Sequence, residues 1–217
     1  MKTKLLQRGQ LEKNHLITQQ KNNLSLSGRI NAAKLNSQIS SLSNVSQNLA
    51  AASVFTDATQ NALMEIISIA KKMQEIGSSS NTNDTLNRLG SEFSTQLNNL
   101  LETTIESVKV LQSTIPIDLG LNSGTIDVCV DLRSDTAYNA LQRKIADMQT
   151  NPAVAPNNMD PIIDGLYTAL DIQNSKSSLL ENRYTSLNDL ALSYGDGINK
   201  QVTTDGSTPS SLVNKIL

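Results

Sequence analysis

Residues 114–132 read TIPIDLGLNSGTIDVCVDL, and their hydrophobic pattern alternates while that of the chain on both sides does not. Apolar side chains occupy every second position before and after the polar triplet Asn122, Ser123 and Gly124. Alternation on both sides of a turn signal predicts a β-hairpin. Pro116 has no backbone N–H to donate, so its strand is expected to lie at a sheet edge.

The chain before this hairpin has helical periodicity. Residues 32–76 contain neither Pro nor Gly, and their apolar residues recur at intervals of three and four. The length predicts either a coiled-coil-like rod or two helices in line, ending at Gly77. Asn83 or Asp84 is the expected N-cap of a second helix, whose apolar stripe continues to Val108. The two stripes are expected to pack against each other in an antiparallel helical hairpin.

Two further helices are predicted after the hairpin. Ser134 or Asp135 is the expected cap of a short helix with an apolar stripe. A Pro-containing linker follows at 151–158, and Asp160 with Pro161 begins the last long helix. The predicted stripe of the short helix contains Tyr138, Leu141, Ile145 and Met148.

These patterns predict a mainly α protein, an elongated rod of long antiparallel helices with one β-hairpin at about 114–132. Residues 1–31 are expected to form a flexible N-terminal assembly segment, because their apolar spacing is loose. Residues 32–200 form the predicted helical core. Residues 201–217 are expected to be a flexible C-terminal segment, since residues 203–209 have an unstructured composition.

Composition restricts the function further. The 217 residues carry a net charge of −2, so nothing directs the chain to nucleic acid or to an anionic membrane. The start is mildly basic, with Lys2, Lys4, Arg8, Lys13 and Lys21. No stretch approaches the roughly 18 apolar residues of a membrane span, and no apolar block of a secretory signal follows the basic start. The single Cys129 excludes an internal disulfide.

Few residues are candidates for chemistry. His15 is the only histidine and has no orienting partner nearby, so it is expected to be solvent-exposed. Cys129 is interpreted as a half-buried structural thiol, because no base follows it. Asp118, Asp127 and Asp131 could bind a hard cation or act as acid and base, but solvated carboxylates are the favoured interpretation. We therefore expect no cofactor, no metal and no enzymatic activity.

Four segments, in this order, resemble bacterial flagellin and its relative, the hook–filament junction protein. They are SGRINAAKLNSQ at 27–38, TDATQNALMEI at 56–66, the hairpin region at 108–132, and LLENRYTSLNDL at 179–190. The resemblance implies a flagellin-like rod of helices. Both chain ends are reduced relative to that family, and the family's variable outer domain has no room between Asp135 and Asp160.

The resemblance implies a structural subunit of a flagellar filament or hook–filament junction, assembling by helix packing between subunits. Its expected partners are copies of itself or other flagellar subunits, with an export chaperone as a further candidate. The expected location is secreted and extracellular, in the bacterial flagellum. The alternative is a non-polymerising secreted protein with the same rod, acting as an adhesin, decoy or regulator.

Some members of this family are bound by an animal innate-immune receptor through a helical face that contains Arg. The resemblance places the corresponding residues at Lys72, Gln74, Glu75 and Ile76, and adds Arg183 as a further interface candidate. Gln74 stands near a position where the family has a basic residue, and Gln lacks the charge and the forked geometry of Arg. Weak or absent receptor activation is therefore expected.

Overall fold

The computed structural model describes residues 26–79, 81–120, 123–151 and 156–204. In this part of the chain the protein is mainly α, with four α-helices and a β-hairpin. The helices are α1 (Leu26–Gly77), α2 (Asn83–Leu101), α3 (Thr136–Thr150) and α4 (Asp160–Thr204). The strands are β1 (Thr104–Ile105), β2 (Val108–Lys109), β3 (Ile115–Asp118) and β4 (Thr125–Val128). The mainly α fold predicted from the sequence is thus confirmed.

Helix α1 is one uninterrupted helix of 52 residues. It begins at Leu26, six residues before the predicted boundary, and ends at Gly77 as predicted. Its buried face follows the predicted spacing through Ile66, Ile69 and Met73. Two buried threonines interrupt the apolar face, and Thr56 and Thr59 donate their hydroxyl protons to carbonyls one turn earlier. This internal bonding satisfies polar groups that would otherwise be costly to bury.

Helix α2 differs from the prediction at both ends. Its N-cap is Thr82, whose hydroxyl accepts from the Thr85 amide, and not Asn83 or Asp84. It ends at Leu101 instead of continuing to Val108. Residues 104–105 and 108–109 form a short antiparallel ladder around Glu106 and Ser107, which both have positive φ angles. A turn of this kind cannot belong to a right-handed helix, so the predicted stripe was extended too far.

Strands β3 and β4 form the predicted hairpin. Ile115 lies opposite Val128, and Ile117 lies opposite Ile126, while Pro116 and Asp127 share the exposed face. The predicted alternation therefore assigns the two faces correctly within the strands. Both strands are shorter than predicted. Cys129, which directly follows β4, adopts a φ of 64°, and Gly120, two residues after the end of β3, adopts a φ of 70°.

The packing of α3 depends on close approach. Asp135 caps it as predicted, accepting from the Tyr138 amide at 2.7 Å, and all four residues of its predicted stripe are buried. A Cβ added at Gly165 of α4 would lie 2.6 Å from the Cβ of Ala137. A Cβ at Gly90 of α2 would lie 3.0 Å from the Cβ of Met148. Glycines thus allow both neighbouring helices to approach α3.

The chain divides into two compact units. The terminal unit contains the described residues 26–50 and 182–204, and the central unit contains the described residues between 51 and 181. Helix α4 continues to Thr204, four residues past the predicted core boundary at 200. The flexibility predicted for the chain ends lies outside the described residues, apart from 26–31 and 201–204, which are helical.

The central unit has the larger core. Its fully buried side chains come from α1, α3, α4 and the segments between them, and they include Leu63, Leu111, Leu132, Leu141 and Leu166. In the terminal unit Ala32 of α1 and Ile198 of α4 form a small buried cluster, with Leu35 and Ile39 packed against it. Leu42, Leu49 and Leu187 are also buried there.

Candidate partner interface

The predicted interface at the end of α1 is only partly available to a partner. Lys72 and Glu75 are exposed, whereas Gln74 and Ile76 are half-buried. The side-chain amide of Gln74 donates to the Asp160 carboxylate at the start of α4. Gln74 is therefore engaged in a contact within the chain, which the identity of this residue in the sequence does not reveal.

A second contact joins the same two helices. Lys71 Nζ lies 2.6 Å from the Tyr167 hydroxyl oxygen and 5.1 Å from the centre of the Tyr167 ring. The ammonium group thus combines a hydrogen bond with a cation–π contact. Because Lys71 and Tyr167 are both exposed, we expect this pair to add only a few tenths of a kcal/mol to stability, about as much as other exposed polar pairs.

Lys72 lines a polar groove between α1 and α2. Ile69 of α1 and Leu100 of α2 lie in the same groove, so the two helices are neighbours at this point. The remaining lining residues are polar: Glu65, Ser68, Gln96 and Asn99. Charges of both signs and amides in an open groove favour solvent or a polar partner over an apolar ligand.

Arg183 belongs to a different unit from the other four predicted interface residues. It lies on α4 in the terminal unit and is half-buried, whereas residues 72–76 belong to the central unit. The five predicted interface residues therefore belong to two different units.

Cys129 is more buried than expected. Cys129 has 0% exposure, and this burial raises the pKa of its thiol. The Cys129 carbonyl accepts hydrogen bonds from Gln173 Nε2 at 3.1 Å and from Lys176 Nζ at 3.4 Å. Burial also lowers the pKa of Lys176. These two side chains attach the end of the hairpin to α4.

Gln173 was missed by sequence reasoning, although it is almost fully buried. Among the described residues, its Oε1 is a buried side-chain oxygen without a hydrogen-bond partner. The available signal was its position on the apolar side of α4, seven residues before Leu180, which is also buried. A polar residue at a core position often satisfies a backbone group nearby.

The three hairpin carboxylates have different surroundings. Asp118 accepts from the Gly120 amide at 2.8 Å, and Asp127 is exposed. Asp131 forms an ion pair with Arg133, and the hydrogen bonds from Arg133 lower the pKa of Asp131. Within the described ranges, no group of three His, Cys, Asp or Glu side chains is placed to hold a metal ion. His15 lies outside these ranges.

Several large apolar side chains are exposed, and the sequence did not single them out. In the terminal unit they are Ile30, at 51% exposure, and Leu192, at 41%. In the central unit, Ile172 and Leu179 of α4 line a groove beside Ile126 of β4. These positions are the strongest candidates for contact with a partner, since burying them gains hydrophobic free energy.

Comparisons with known proteins do not assign the chain to a family. No protein-family model matches it, and no curated protein shows a significant match. Among the described helices, none is both long enough and apolar enough to cross a bilayer.

Proposed function

We propose that this protein is a flagellin-like structural subunit of a bacterial flagellar filament or hook–filament junction, which assembles by packing helices between subunits. The observation that carries the proposal is the small buried cluster of the terminal unit. Its described part consists of the first portion of α1 and the last portion of α4, and its buried cluster is small.

Two helices alone can bury only one face of each. In the terminal unit the shared face contains Ala32 and Ile198, while Ile30 and Leu192 remain exposed. Such a pair gains less from burial than a helix surrounded by several elements, so further helices supplied by neighbours would stabilise it. A subunit that assembles through this unit meets that need.

The order of elements supports the same proposal. A long helix, a second helix, a hairpin, a short helix and a last long helix follow one another in the described chain. This is the order expected from the flagellin resemblance of the sequence. The flagellar export route and the extracellular location are parts of the same proposal, with an export chaperone as a candidate partner.

A non-enzymatic role is part of the proposal. Cys129 is buried and its raised pKa disfavours the nucleophilic thiolate. The Asp131 carboxylate forms an ion pair with Arg133, and the Asp118 carboxylate accepts a hydrogen bond from the Gly120 amide. Weak or absent activation of the innate-immune receptor is also proposed, because Gln74 is engaged with Asp160.

The test is sedimentation of the purified full chain followed by electron microscopy of the pellet, with and without filament seeds from the host cell. Filaments, or addition to seeds, are the expected result. A stable monomer that ignores seeds would overturn the proposal in favour of the non-polymerising secreted interaction protein.

Variants make this test specific to the terminal unit. The double variant Ile30→Glu, Leu192→Glu places charge at two exposed apolar positions and should abolish assembly while the monomer keeps its thermal stability. Met64→Glu is the matched control, because Met64 has 49% exposure but belongs to the central unit. Equal loss of assembly in both proteins would argue against contacts through the terminal unit.

A further inference from the structure

Lys176 of α4 lies in a groove between the hairpin and α4, called here the hairpin groove. The apolar side chains of this groove are Ile126 of β4 and Ile172 and Leu179 of α4. Ile172 precedes Lys176 by four residues and Leu179 follows it by three, so the three side chains are neighbours on one face of the helix. The Lys176 side chain therefore lies between two apolar side chains.

The amine of Lys176 is held in place but remains accessible. Its Nζ donates a hydrogen bond to the Cys129 carbonyl oxygen at 3.4 Å, which attaches the end of the side chain to the hairpin. Because this bond uses an N–H, a neutral amine at this position keeps its lone pair for a reaction. Ile172 and Leu179 are 52% and 47% exposed, so the groove is open to small molecules from solvent.

The surroundings of Lys176 favour the neutral amine. Burial lowers the pKa of Lys176, while the Asp127 carboxylate and Cys129 act in the opposite direction. A lowered pKa increases the neutral fraction at a given pH, and desolvation in an apolar site is one way in which proteins activate a lysine as a nucleophile. A lysine of perturbed pKa in a cleft is therefore a candidate site of covalent chemistry.

The lining of the hairpin groove also restricts the kind of reactant. Its charged residues are Asp171 and Lys176, so the two opposite charges leave no net charge that would select an ion. The apolar side chains instead favour a hydrocarbon chain, because covering them removes apolar surface from water. The reactant best suited to this groove is thus an uncharged electrophile that carries a hydrocarbon chain.

We propose that Lys176 is an acylation site and that the hairpin groove takes the hydrocarbon chain of a medium-chain acyl thioester. The neutral Nζ attacks the thioester carbonyl, a C–N bond forms and the C–S bond breaks. The thiol leaves and takes up the proton that the amine loses, so no oxidant or reductant is required. The resulting amide keeps one N–H, which can still donate to the Cys129 carbonyl. The reaction does not require assembly of the protein.

The test compares two acyl thioesters on the purified full chain, the octanoyl and the acetyl thioesters of N-acetylcysteamine. Mass spectrometry of the digested protein measures the acylation rate at each lysine. Lys72 is the matched internal control, because it lines the mainly polar groove between α1 and α2. The ratio of octanoyl to acetyl rates should be about tenfold higher at Lys176 than at Lys72, which is the effect of burying about two additional methylene groups.

Two results would overturn the proposal. Equal rate ratios at Lys176 and Lys72 would mean that the hairpin groove does not take the hydrocarbon chain. Acylation of Lys72 without any acylation of Lys176 would mean that the Lys176 amine is not a reactive site. Neither result depends on whether the protein sediments as an assembly, so the proposed structural function is tested separately.

Variants separate the contribution of the groove from that of the amine. The double variant Ile172→Ser, Leu179→Ser removes apolar surface at two exposed positions. It should abolish the octanoyl preference of Lys176 while its acetylation rate stays within about twofold of the wild type. Met64→Ser should keep the preference, because Met64 has 49% exposure but lies outside the groove. An octanoyl preference that survives in the double variant would contradict recognition by the groove.

Discussion

The central and terminal units use the same two helices but surround them differently. In the central unit, α1 and α4 are joined by α2, α3 and the hairpin, and buried side chains come from all these regions. In the described part of the terminal unit, α1 and α4 have only each other. We therefore expect the stability of each long helix to vary along its length, because each turn depends on what covers its apolar face.

The largest expected change in unfolding free energy comes from truncating one buried leucine in each unit. Leu141→Ala in the central unit should cost about 3 kcal/mol of unfolding free energy, because the surrounding elements prevent the cavity from collapsing. Leu187→Ala in the terminal unit removes an equally buried side chain but should cost less than about 2 kcal/mol, since two helices relax more easily. Urea unfolding measures both, and equal losses would show that the two units are closed equally well.

A pair of glycine substitutions should change stability in opposite directions. Gly165→Ala brings a Cβ within 2.6 Å of Ala137 and should cost about 1–3 kcal/mol by separating α3 from α4. Gly195→Ala in the terminal unit meets nothing within 4 Å and should gain about 0.5–1 kcal/mol from helix propensity. Thermal unfolding checks the signs, and destabilisation by both would contradict an open environment at Gly195.

The junction between the hairpin and α4 is tested at Gln173. Gln173→Met keeps most of the side-chain volume while removing both the bond to Cys129 and the unpartnered oxygen, so the loss should be about 1 kcal/mol or less. Gln173→Ala also leaves a cavity and should cost about 2–3 kcal/mol. If the Met variant were as unstable as the Ala variant in urea, the hydrogen bond and not the volume would hold the junction.

The smallest effect at neutral pH is expected at Tyr138. Burial raises the pKa of its phenol to about 12, while the hydrogen bond from Gln142 acts in the opposite direction. The folded state therefore favours the neutral phenol. This contribution to stability is complete below about pH 10, the ordinary pKa, and is lost as the pH rises towards 12.

The control for this prediction is Tyr138→Phe, which should lose less stability between pH 10 and pH 12 than the wild type. An ultraviolet titration of the folded proteins should show a difference between the two with a midpoint at about 12. A midpoint near 10 would mean that the end of Tyr138 is solvated in the central unit.

The type of each main element, helix or strand, could be predicted from the amino-acid pattern alone. Apolar spacing identified α1, the stripe of α3 and the start of α4 at Asp160, and alternation identified β3 and β4. These signals are local, because the periodicity of a helix or a strand determines which side chains lie on the same face. The end of α2 was predicted incorrectly because Ile105 and Val108 continue the apolar pattern although the backbone turns between them.

Which of those faces are covered depends on the three-dimensional packing and could not be predicted from the sequence. The engagement of Gln74 with Asp160, the burial of Gln173 beneath Cys129 and the exposure of Ile172 and Leu179 all depend on elements distant in the chain. The apolar stripe of a helix looks the same in sequence whether it packs within the subunit or against a neighbour, because both uses require the same hydrophobic side chains. The three-dimensional arrangement distinguishes them by showing which side chains remain in contact with water.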